Sequence, residues 1–313
     1  MLLAIDARNR QVAVGLRDGD GWRAVRRFGA YHDRSADEYA HLLTLVAAEA
    51  AGAAGPGPFA AQAGLVDSAW ISCVVPALTA KMARAAGIAF GAEARVVGPG
   101  VRSGVRIRTD NPSEVGSDLV CAAAAAREIA GRACVVVDFG AVLTVSGVDS
   151  AGDFLGAAIA PGLESAAHAL RAAAAQLPEV QLEPPRRAIG KNTAQSVQAG
   201  VVLGYAGLVE RLAGLIAGEI RAQDPAAAAG GVALVGTGDA IGETMLSGLE
   251  GFFRFVPELV LEGLALIASR ALTTPRAPAA ERPSAAPGRP APRLREEPRG
   301  LGAVFPPMNG EPE

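Results

Sequence analysis

Two aspartates stand where phosphate or metal chemistry would be possible. Asp6 ends the apolar segment 2–6, and Asp138 ends the apolar segment 133–138. In both places a turn and two further strand-like segments follow. Carboxylates at such positions can hold Mg²⁺, usually through water, and the adjoining turns offer backbone N–H groups to phosphate oxygens. The sequence therefore predicts a phosphate-binding site built from two similar hairpins.

The elements around these aspartates form a repeated unit. Each copy has three strands and then a helix, and the alternation of apolar and polar residues favours half-buried strands. Ser35 and Glu38 form a predicted capping box for the first helix. The predicted copies are strands 2–6, 11–17 and 22–28 with helix 35–51, and strands 133–138, 142–148 and 154–159 with helix 163–175.

The remaining elements complete two lobes. Further strands are predicted at 69–75, 95–98 and 232–235, and helices are predicted from Pro76, at 119–130, at 195–222 with a possible break, and at 259–271. The duplication predicts an α/β fold of two similar lobes, each with a mixed sheet flanked by helices. We place the lobes at 1–117 and 118–273. Segment 274–313 has ten prolines in forty residues, which predicts a disordered tail.

Composition narrows the function classes. Half of the residues are apolar, which is ample for a packed core, and the formal net charge is −3. No long basic run occurs in the first 270 residues, so we expect no nucleic-acid partner. Arg23, Arg26 and Arg27 are interpreted as a solvated strand face. A loop is expected at 52–57.

The cysteines and the N-terminus indicate a cytoplasmic protein. Cys73, Cys121 and Cys134 lie in apolar segments without zinc-site spacing, so we interpret them as buried thiols in a reducing compartment. Asp6 comes too early for a secretory signal. No run of 18 purely apolar residues occurs, so no membrane span is expected.

Seven segments resemble the motifs of type III pantothenate kinases, in order and with similar spacing over the first 273 residues. They are DRSADEYAHLL at 33–43, SCVVPAL at 72–78, GPGVRSG at 98–104, DNPSEVGSD at 110–118, GAAIAPG at 156–162, IGKNTAQSVQAGVVLG at 189–204 and LEGLAL at 261–266. The resemblance implies an actin-like (ribonuclease H-like) fold of the actin, Hsp70 and sugar-kinase superfamily, with the nucleotide cleft between the lobes. It implies phosphorylation of pantothenate to 4′-phosphopantothenate, the first step of coenzyme A biosynthesis. ATP, Mg²⁺ and a monovalent cation, K⁺ or NH₄⁺, are the implied cofactors.

The nucleotide loops of this family correspond to two segments here. Its D-x-G-N-T matches residues 6–10, and its D-F-G-T-A-T-T matches residues 138–144. The implied metal ligands are Asp6 and Asp138. The implied cofactor-binding residues are Asp6, Ala7, Arg8, Asn9, Arg10, Gly140 and Ala141. A third nucleotide element, T-G-G, corresponds in a shifted form to residues 236–238.

Both loops depart from the family pattern. Arg8 replaces the glycine that permits close approach to phosphate, and Arg10 replaces a small hydroxyl residue. The two arginines either grip phosphate or lie solvated at a strand end, and we favour the second alternative. Ala141 lacks the hydroxyl that would contact ATP. Leu143 is expected to add a bulky apolar group to the cleft.

The acceptor side is also altered. Asp118 matches the family's general base, and it is equally well interpreted as the N-cap of helix 119–130. Leu119 replaces an arginine and Thr109 replaces a tyrosine of the pantothenate pocket. Gly116, Ser117 and Thr193 match the family pattern and are implied to bind substrate.

Three functions remain open at this point. The first is a pantothenate kinase whose activity is weak or lost, because several site positions are changed together. The second is a non-catalytic subunit that dimerises with itself or with an active relative, since family members are dimers with the acceptor pocket at the interface. The third is a kinase for another small hydroxyl-bearing acceptor, motivated by Leu119 and Thr109.

Overall fold

The computed structural model describes residues 1–19, 21–52, 64–174 and 176–273. The predicted tail at 274–313 lies outside these residues, and so does most of the predicted loop at 52–57. Within the described ranges the chain forms two five-stranded sheets with flanking helices. The predicted α/β class is confirmed. The boundary between residues 117 and 118 stays a prediction.

The first sheet contains Asp6. Its strands are β1 (Leu2–Ala7), β2 (Gln11–Asp18), β3 (Gly21–Gly29), β4 (Ser68–Cys73) and β5 (Ala94–Val96). The order is β3-β2-β1-β4-β5. Strands β1, β2 and β3 pair antiparallel, whereas β4 pairs parallel with β1 and with β5. Consequently β1 is a central strand.

The second sheet repeats this topology. Its strands are β6 (Cys134–Phe139), β7 (Val142–Val148), β8 (Phe154–Pro161), β9 (Ala233–Gly238) and β10 (Phe252–Phe255). The order β10-β9-β6-β7-β8, read from β8, matches the first sheet strand for strand and direction for direction. The structure therefore has the predicted internal duplication. Strand β10 was not predicted, because four residues with two exposed side chains give little periodic signal.

Helices connect and cover the sheets. They are α1 (Ala36–Ala50), α2 (Pro76–Phe90), α3 (Ser117–Ala130), α4 (Leu163–Ala173), α5 (Thr193–Gln223), α6 (Pro225–Gly230), α7 (Ile241–Leu246) and α8 (Leu259–Thr273), with a 3₁₀ turn at Pro112–Glu114. The predicted break in the longest helix is absent, because α5 is continuous. The short helices α6 and α7 were not predicted.

Helices α3 and α8 form the layer that joins the sheets. Their buried side chains share one apolar cluster with Trp70 of the first sheet and Val136 of the second. Gly263 of α8 lies against the Cys121 carbonyl of α3, where an added Cβ would come within 2.0 Å of the oxygen. Only glycine permits so close a contact. The LEGLAL segment therefore fixes α8 on α3.

Several surface and core predictions can be checked directly. Arg23 and Arg26 are exposed and pair with acidic residues, as expected of a solvated face. The same prediction was wrong for Arg27, which points to the other side of β3 from Arg26, pairs with Glu258 and lines a cavity. The three cysteines are free, and Cys121 and Cys134 are buried, as predicted. Cys73 is only partly buried, so the prediction of a buried thiol was wrong there, because it lies at the end of β4.

Helix α5 bears on the expected absence of a membrane span. By length and composition alone it is apolar enough to cross a membrane. One such helix is weak evidence, since core helices pass the same test, and Val209 and Ile220 of α5 are buried in the core of the second sheet. The expectation that the chain does not span a membrane stays a prediction.

The capping box of α1 provides a test of the local sequence reading. The Ser35 hydroxyl accepts a hydrogen bond from the Glu38 N–H at 3.2 Å, and the Glu38 carboxylate accepts one from the Ser35 N–H at 2.7 Å. Loss of such a cap costs about 1 kcal/mol, or roughly 2–4 °C of melting temperature. We expect Ser35→Ala to melt lower by that amount in calorimetry. Ser35→Thr, which keeps the hydroxyl, is the control, and equal melting of Ser35→Ala and the parent would contradict the cap.

Candidate active site

A cavity lies where the equivalent ends of β1 and β6 meet. Its volume is about 560 Å³, and Asp6 and Asp138 both line it. They are the last buried polar positions of the two central strands and are only 7% and 6% exposed in their side chains. The structure thus brings together the two Asp-bearing hairpins that the sequence pattern singled out.

Arg8 occupies the gap between these two aspartates. Its Nε donates to Asp6 Oδ2 at 2.7 Å, and its Nη1 donates to Asp138 Oδ2 at 2.7 Å. The preferred prediction, a solvated arginine at a strand end, was therefore wrong for Arg8. The two buried carboxylates carry the charge opposite to that of the guanidinium and therefore offset the cost of burying it. Their hydrogen bonds with Arg8 are charge-assisted, and such hydrogen bonds are stronger than those between neutral groups. We call this arrangement the Arg8 bridge.

The bridge sits in an electrostatically crowded place. Burial raises the pKa of Asp6 to about 6, which the Arg8 charge opposes while Asp118 and Asp138 add to it. Burial works against the charged form of Arg8 as well, but the carboxylates of Asp138, Asp6 and Asp118 hold its pKa well above the ordinary value. Arg8 is therefore a permanent cation inside the cavity.

The bridge leaves one oxygen of each aspartate without a partner. Asp6 Oδ1 and Asp138 Oδ1 are buried and accept no hydrogen bond from the described residues. The other oxygens are taken by Arg8, so a Mg²⁺ ion between the carboxylates would share them with a guanidinium in the same gap. No group of three or more His, Cys, Asp or Glu side chains among the described residues is arranged to hold a metal. The residues present do not fit a bridging Mg²⁺.

The turn after β1 closes without a special backbone conformation. The Arg8 N–H bonds the Gln11 carbonyl at 2.8 Å, and no described residue other than glycine has a positive φ. Asn9 and Arg10 line the cavity mouth, where Arg10 pairs with Glu164 at 3.0 Å. Arg10 is 54% exposed, as the solvated interpretation expects.

Ala7 does not lie where the cofactor-binding prediction placed it. Its side chain is fully buried in the core of the first sheet and does not line the cavity. The alternation of side chains along β1 explains this, because Asp6 faces the cavity and its neighbour must face the opposite side. Gln11 and Ala13 of β2 line the cavity and were not predicted.

The turn after β6 brings backbone close to the bridge. A Cβ on Gly140 would stand 3.9 Å from Arg8 Nη1 and 4.0 Å from Asp138 Oδ1. The Ala141 carbonyl accepts hydrogen bonds from the Gly162 N–H at 3.2 Å and the Ser165 hydroxyl at 2.8 Å. This carbonyl therefore ties the turn to the start of α4.

Leu143 was expected at the cleft, and that prediction was wrong. The side chain is fully buried in the core of the second sheet. Its neighbours Val142 and Thr144 line the cavity instead. Strand alternation again decides the face, since residues on either side of Leu143 point the other way.

The end of β9 forms another wall of the cavity. Thr237 and Gly238 line it, and Gly238 has a φ of +94°. A Cβ there would come within 2.0 Å of the Phe139 carbonyl, so this position requires glycine. Asp239 follows, and burial, then Glu164 and Asp138, raise its pKa.

Asp118 lines the same cavity from the first turn of α3. The prediction that it caps this helix was wrong, because Gly116 is the N-cap and makes no side-chain cap hydrogen bond. Asp118 Oδ1 instead accepts from the Leu119 N–H at 2.8 Å. Burial raises the Asp118 pKa and Arg8 opposes this, while Asp138 adds to the rise.

Residues Gly116 and Ser117 position Asp118. A Cβ on Gly116 would come within 2.4 Å of Asp118 Oδ1, so glycine leaves room for the carboxylate. The Ser117 hydroxyl accepts from the Cys73 N–H at 3.0 Å and lies 3.0 Å from the Ser72 hydroxyl. These contacts fasten the start of α3 to the end of β4.

Three other predicted acceptor residues lie away from this cavity. Leu119 packs against the core between the sheets. Thr109 has a buried hydroxyl oxygen with no hydrogen-bond partner among the described residues and does not line the cavity. Thr193 lines a separate cavity of about 560 Å³ beside α4 and α5. The predicted acceptor set is therefore divided within one copy of the chain.

Five charged residues of the lining were not predicted as site residues: Glu164, Asp239, Glu243, Glu258 and Arg27. With them, seven carboxylates and three guanidinium groups of the described residues line the cavity, the others being Asp6, Asp118, Asp138, Arg8 and Arg10. Each of the three arginines is paired with at least one of these carboxylates, and the partner of Arg27 is Glu258 at 3.0 Å. Asp239 follows the Gly-Thr-Gly turn directly, which is the one signal that could have pointed to it.

Comparison with known proteins agrees with this architecture. A structure from Campylobacter jejuni described as a Baf family transcriptional activator is similar with a TM-score of 0.52 at 14% identity, covering 87% of this chain and 100% of the other. That likeness concerns the fold alone.

Sequence comparison is more specific. A protein of Dehalococcoides mccartyi (strain CBDB1) named type III pantothenate kinase is 36% identical over 267 residues, which is 85% of this chain and 94% of the relative. A protein of the same name from Anaeromyxobacter sp. (strain K) is 35% identical over 271 residues, 86% of this chain and 99% of the relative. The family model for type III pantothenate kinase matches residues 2–214. This chain belongs to the type III pantothenate kinase family.

Proposed function

We propose that this chain has kept the family's cavity but catalyses ATP-dependent phosphorylation of pantothenate only slowly. The observation that carries the proposal is the charge of the cavity. Among the described residues that line it, carboxylates outnumber guanidinium groups by seven to three, and each of those arginines is already paired with a carboxylate. A polyphosphate entering this cavity would meet mainly negative charge.

Phosphoryl transfer depends on positive charge around the transferring group. Catalysis in kinases is mostly positioning and electrostatic stabilisation, and cations neutralise the charge on the phosphoryl oxygens. Here Arg8 already forms ion pairs with Asp6 and Asp138, and Arg10 forms one with Glu164. Ala141 also lacks the hydroxyl that the family motif carries. The loss of one preorganised donor can slow a reaction by about 10²–10³-fold.

The cavity favours pantothenate, the acceptor of the family, over a different acceptor. Asp118 opens on the cavity and would accept the proton of the acceptor hydroxyl as its oxygen attacks the γ-phosphorus and ADP leaves. The case for a different acceptor depended on Leu119 and Thr109. Neither lines the cavity, so the described residues do not favour that alternative.

We also propose that two copies of the chain associate through the face formed by α4 and α5. Leu170, Leu203 and Leu208 on this face are 37–40% exposed, and Thr193 lines the apolar cavity between the helices. Association would cover this surface. Because Thr193 and Asp118 line different cavities of one copy, a second copy also provides a way to complete the predicted acceptor pocket. An active relative as partner stays a prediction.

The remaining expectations follow from the proposed reaction. We place the protein in the cytoplasm, where ATP is available and where its three free thiols would stay reduced. The monovalent cation implied at Asp138 by the resemblance stays a prediction.

The proposed slow reaction is tested against a relative. We expect the turnover of pantothenate with ATP to be at least about 100-fold below that of the Dehalococcoides mccartyi protein assayed in parallel, for the electrostatic reason above. Asp118→Asn gives the background rate without the carboxylate. Turnover within about tenfold of the relative would refute the proposal.

The electrostatic state of Asp118 provides a second test. Its raised pKa means that its ionised form destabilises the fold, so stability is highest below the ordinary aspartate pKa and falls as pH rises through the raised value. We therefore expect Asp118→Asn to melt higher than the parent at about pH 8, with the gain shrinking towards about pH 4. Asp110→Asn, at an exposed position outside the cavity, is the control. A gain that is equal at both pH values would contradict this electrostatic origin.

The proposed association is tested with a matched pair of variants. Leu208 on α5 and Leu45 on α1 are 38% and 39% exposed. We expect Leu208→Glu to reduce the molar mass in light scattering from two copies to one, because a charge would be buried at the contact. Leu45→Glu should leave it unchanged. A parent protein that is monomeric at high concentration would exclude the association.

A further inference from the structure

We infer that Arg8 excludes divalent cations from the active-site cavity and acts as a tethered replacement for the metal. The inference deepens the proposed function, on which its relevance to the reaction rests, by naming the residue that removes the metal. The metal test itself needs neither ATP nor pantothenate. It asks only what the paired aspartates bind.

The first argument is geometric. Arg8 reaches Asp6 Oδ2 and Asp138 Oδ2 at 2.7 Å each, so its guanidinium fills the space between the carboxylates. An ion bridging the same carboxylates would lie about 2.0–2.6 Å from their oxygens, in contact with the guanidinium. Two cations so close repel each other strongly in a poorly solvated site. Arg8 and a bridging metal ion are therefore mutually exclusive.

The second argument comes from the unpartnered oxygens. Within the part of the chain that the structure describes, Asp6 Oδ1 and Asp138 Oδ1 are buried without a hydrogen bond, and Asp118 adds a third carboxylate to the same cavity. The single positive charge of Arg8 thus faces the three negative charges of Asp6, Asp138 and Asp118. Removing it would release two buried carboxylates that face one gap, and hard divalent cations prefer such oxygen ligands. The aspartates form a cation site that the chain fills with its own side chain.

The third argument is the tether. Arg8 lies two residues after Asp6, and the hydrogen bond from its N–H to the Gln11 carbonyl fixes the turn that presents it. A cation attached this way competes at a high effective concentration. Arg10 provides the contrast, because it is 54% exposed and pairs with Glu164, which is 72% exposed. The two arginines replace residues of the same loop and differ in what they reach.

The test is Mn²⁺ binding to the nucleotide-free protein, followed by electron paramagnetic resonance. The full-length parent is compared with Arg8→Gln, Arg8→Gly and the control Arg10→Gln. We expect the parent and Arg10→Gln to leave Mn²⁺ free, whereas both Arg8 variants bind one ion per chain at least about tenfold more tightly. Asp138→Asn placed in the Arg8→Gln background should abolish that binding.

Thermal unfolding provides a second measurement. Without Arg8 the two aspartates lose their counter-charge, so Arg8→Gln should melt lower than the parent in a chelator and regain stability when Mn²⁺ is added. The parent and Arg10→Gln should show no such Mn²⁺ dependence. If Arg8→Gln is unfolded without metal, its refolding in Mn²⁺ is the measurement. Recovery supports the inference, and no recovery contradicts it.

Other outcomes separate this inference from the proposed function. If the parent binds one Mn²⁺ and Asp138→Asn abolishes that binding, Arg8 does not exclude metal and the inference fails, even where turnover is slow. If the parent binds no Mn²⁺ and yet turns over pantothenate at an ordinary rate, the inference stands and the proposed slow reaction fails. Failure of both Arg8 variants to gain Mn²⁺ while folded also overturns the inference.

Discussion

The Arg8 bridge is the interaction on which the character of this cavity depends. It joins the central strand of one sheet to the central strand of the other through two hydrogen bonds of 2.7 Å. In a duplicated fold, equivalent strand ends carry equivalent carboxylates, and two buried negative charges must be compensated. In this chain the compensating charge is the guanidinium of Arg8, which lies in the turn after β1. The same hydrogen bonds that stabilise the two aspartates occupy Asp6 Oδ2 and Asp138 Oδ2, which are then not available to bind a metal ion.

The scaffold around the bridge retains the features that position a kinase site. Glycine is required at Gly238 and Gly263 by close backbone contacts and at Gly116 by the neighbouring carboxylate. Ser117 fastens the helix that carries Asp118 to the first sheet. Gly116, Ser117 and Gly263 lie in segments that match the family motifs, whereas the changed residues Arg8, Arg10 and Ala141 line the cavity. Membership of the family and a modified reaction are therefore compatible, because a fold and its site vary separately.

Much of the fold could be predicted from the sequence, because strand alternation and the repeated Asp-ending segment are local signals. The capping box of α1 and the proline at the start of α2 identified those helix starts for the same reason. The errors arose where side-chain direction or tertiary contacts decide. Ala7 and Leu143 lie in segments that correspond to nucleotide loops of the family, yet the alternation of side chains along a strand directs both into the cores of the sheets. The direction of Arg8 depends on Asp138, 130 residues away, and no local pattern contains that contact.

The docking of α8 has a consequence for the order in which the molecule can be completed during synthesis. Arg17 of β2 and Trp22 of β3 donate hydrogen bonds to Glu262, which follows them in the chain by 245 and 240 residues. Most of the first sheet leaves the ribosome long before this partner does, and the apolar face that α8 will cover is exposed for that time. The ribosome must synthesise nearly all of the second lobe before α8 can cover the apolar face of the first lobe. Truncations shortly before residue 262 would therefore leave the N-terminal hairpin, and not only the C-terminal helix, without its partner.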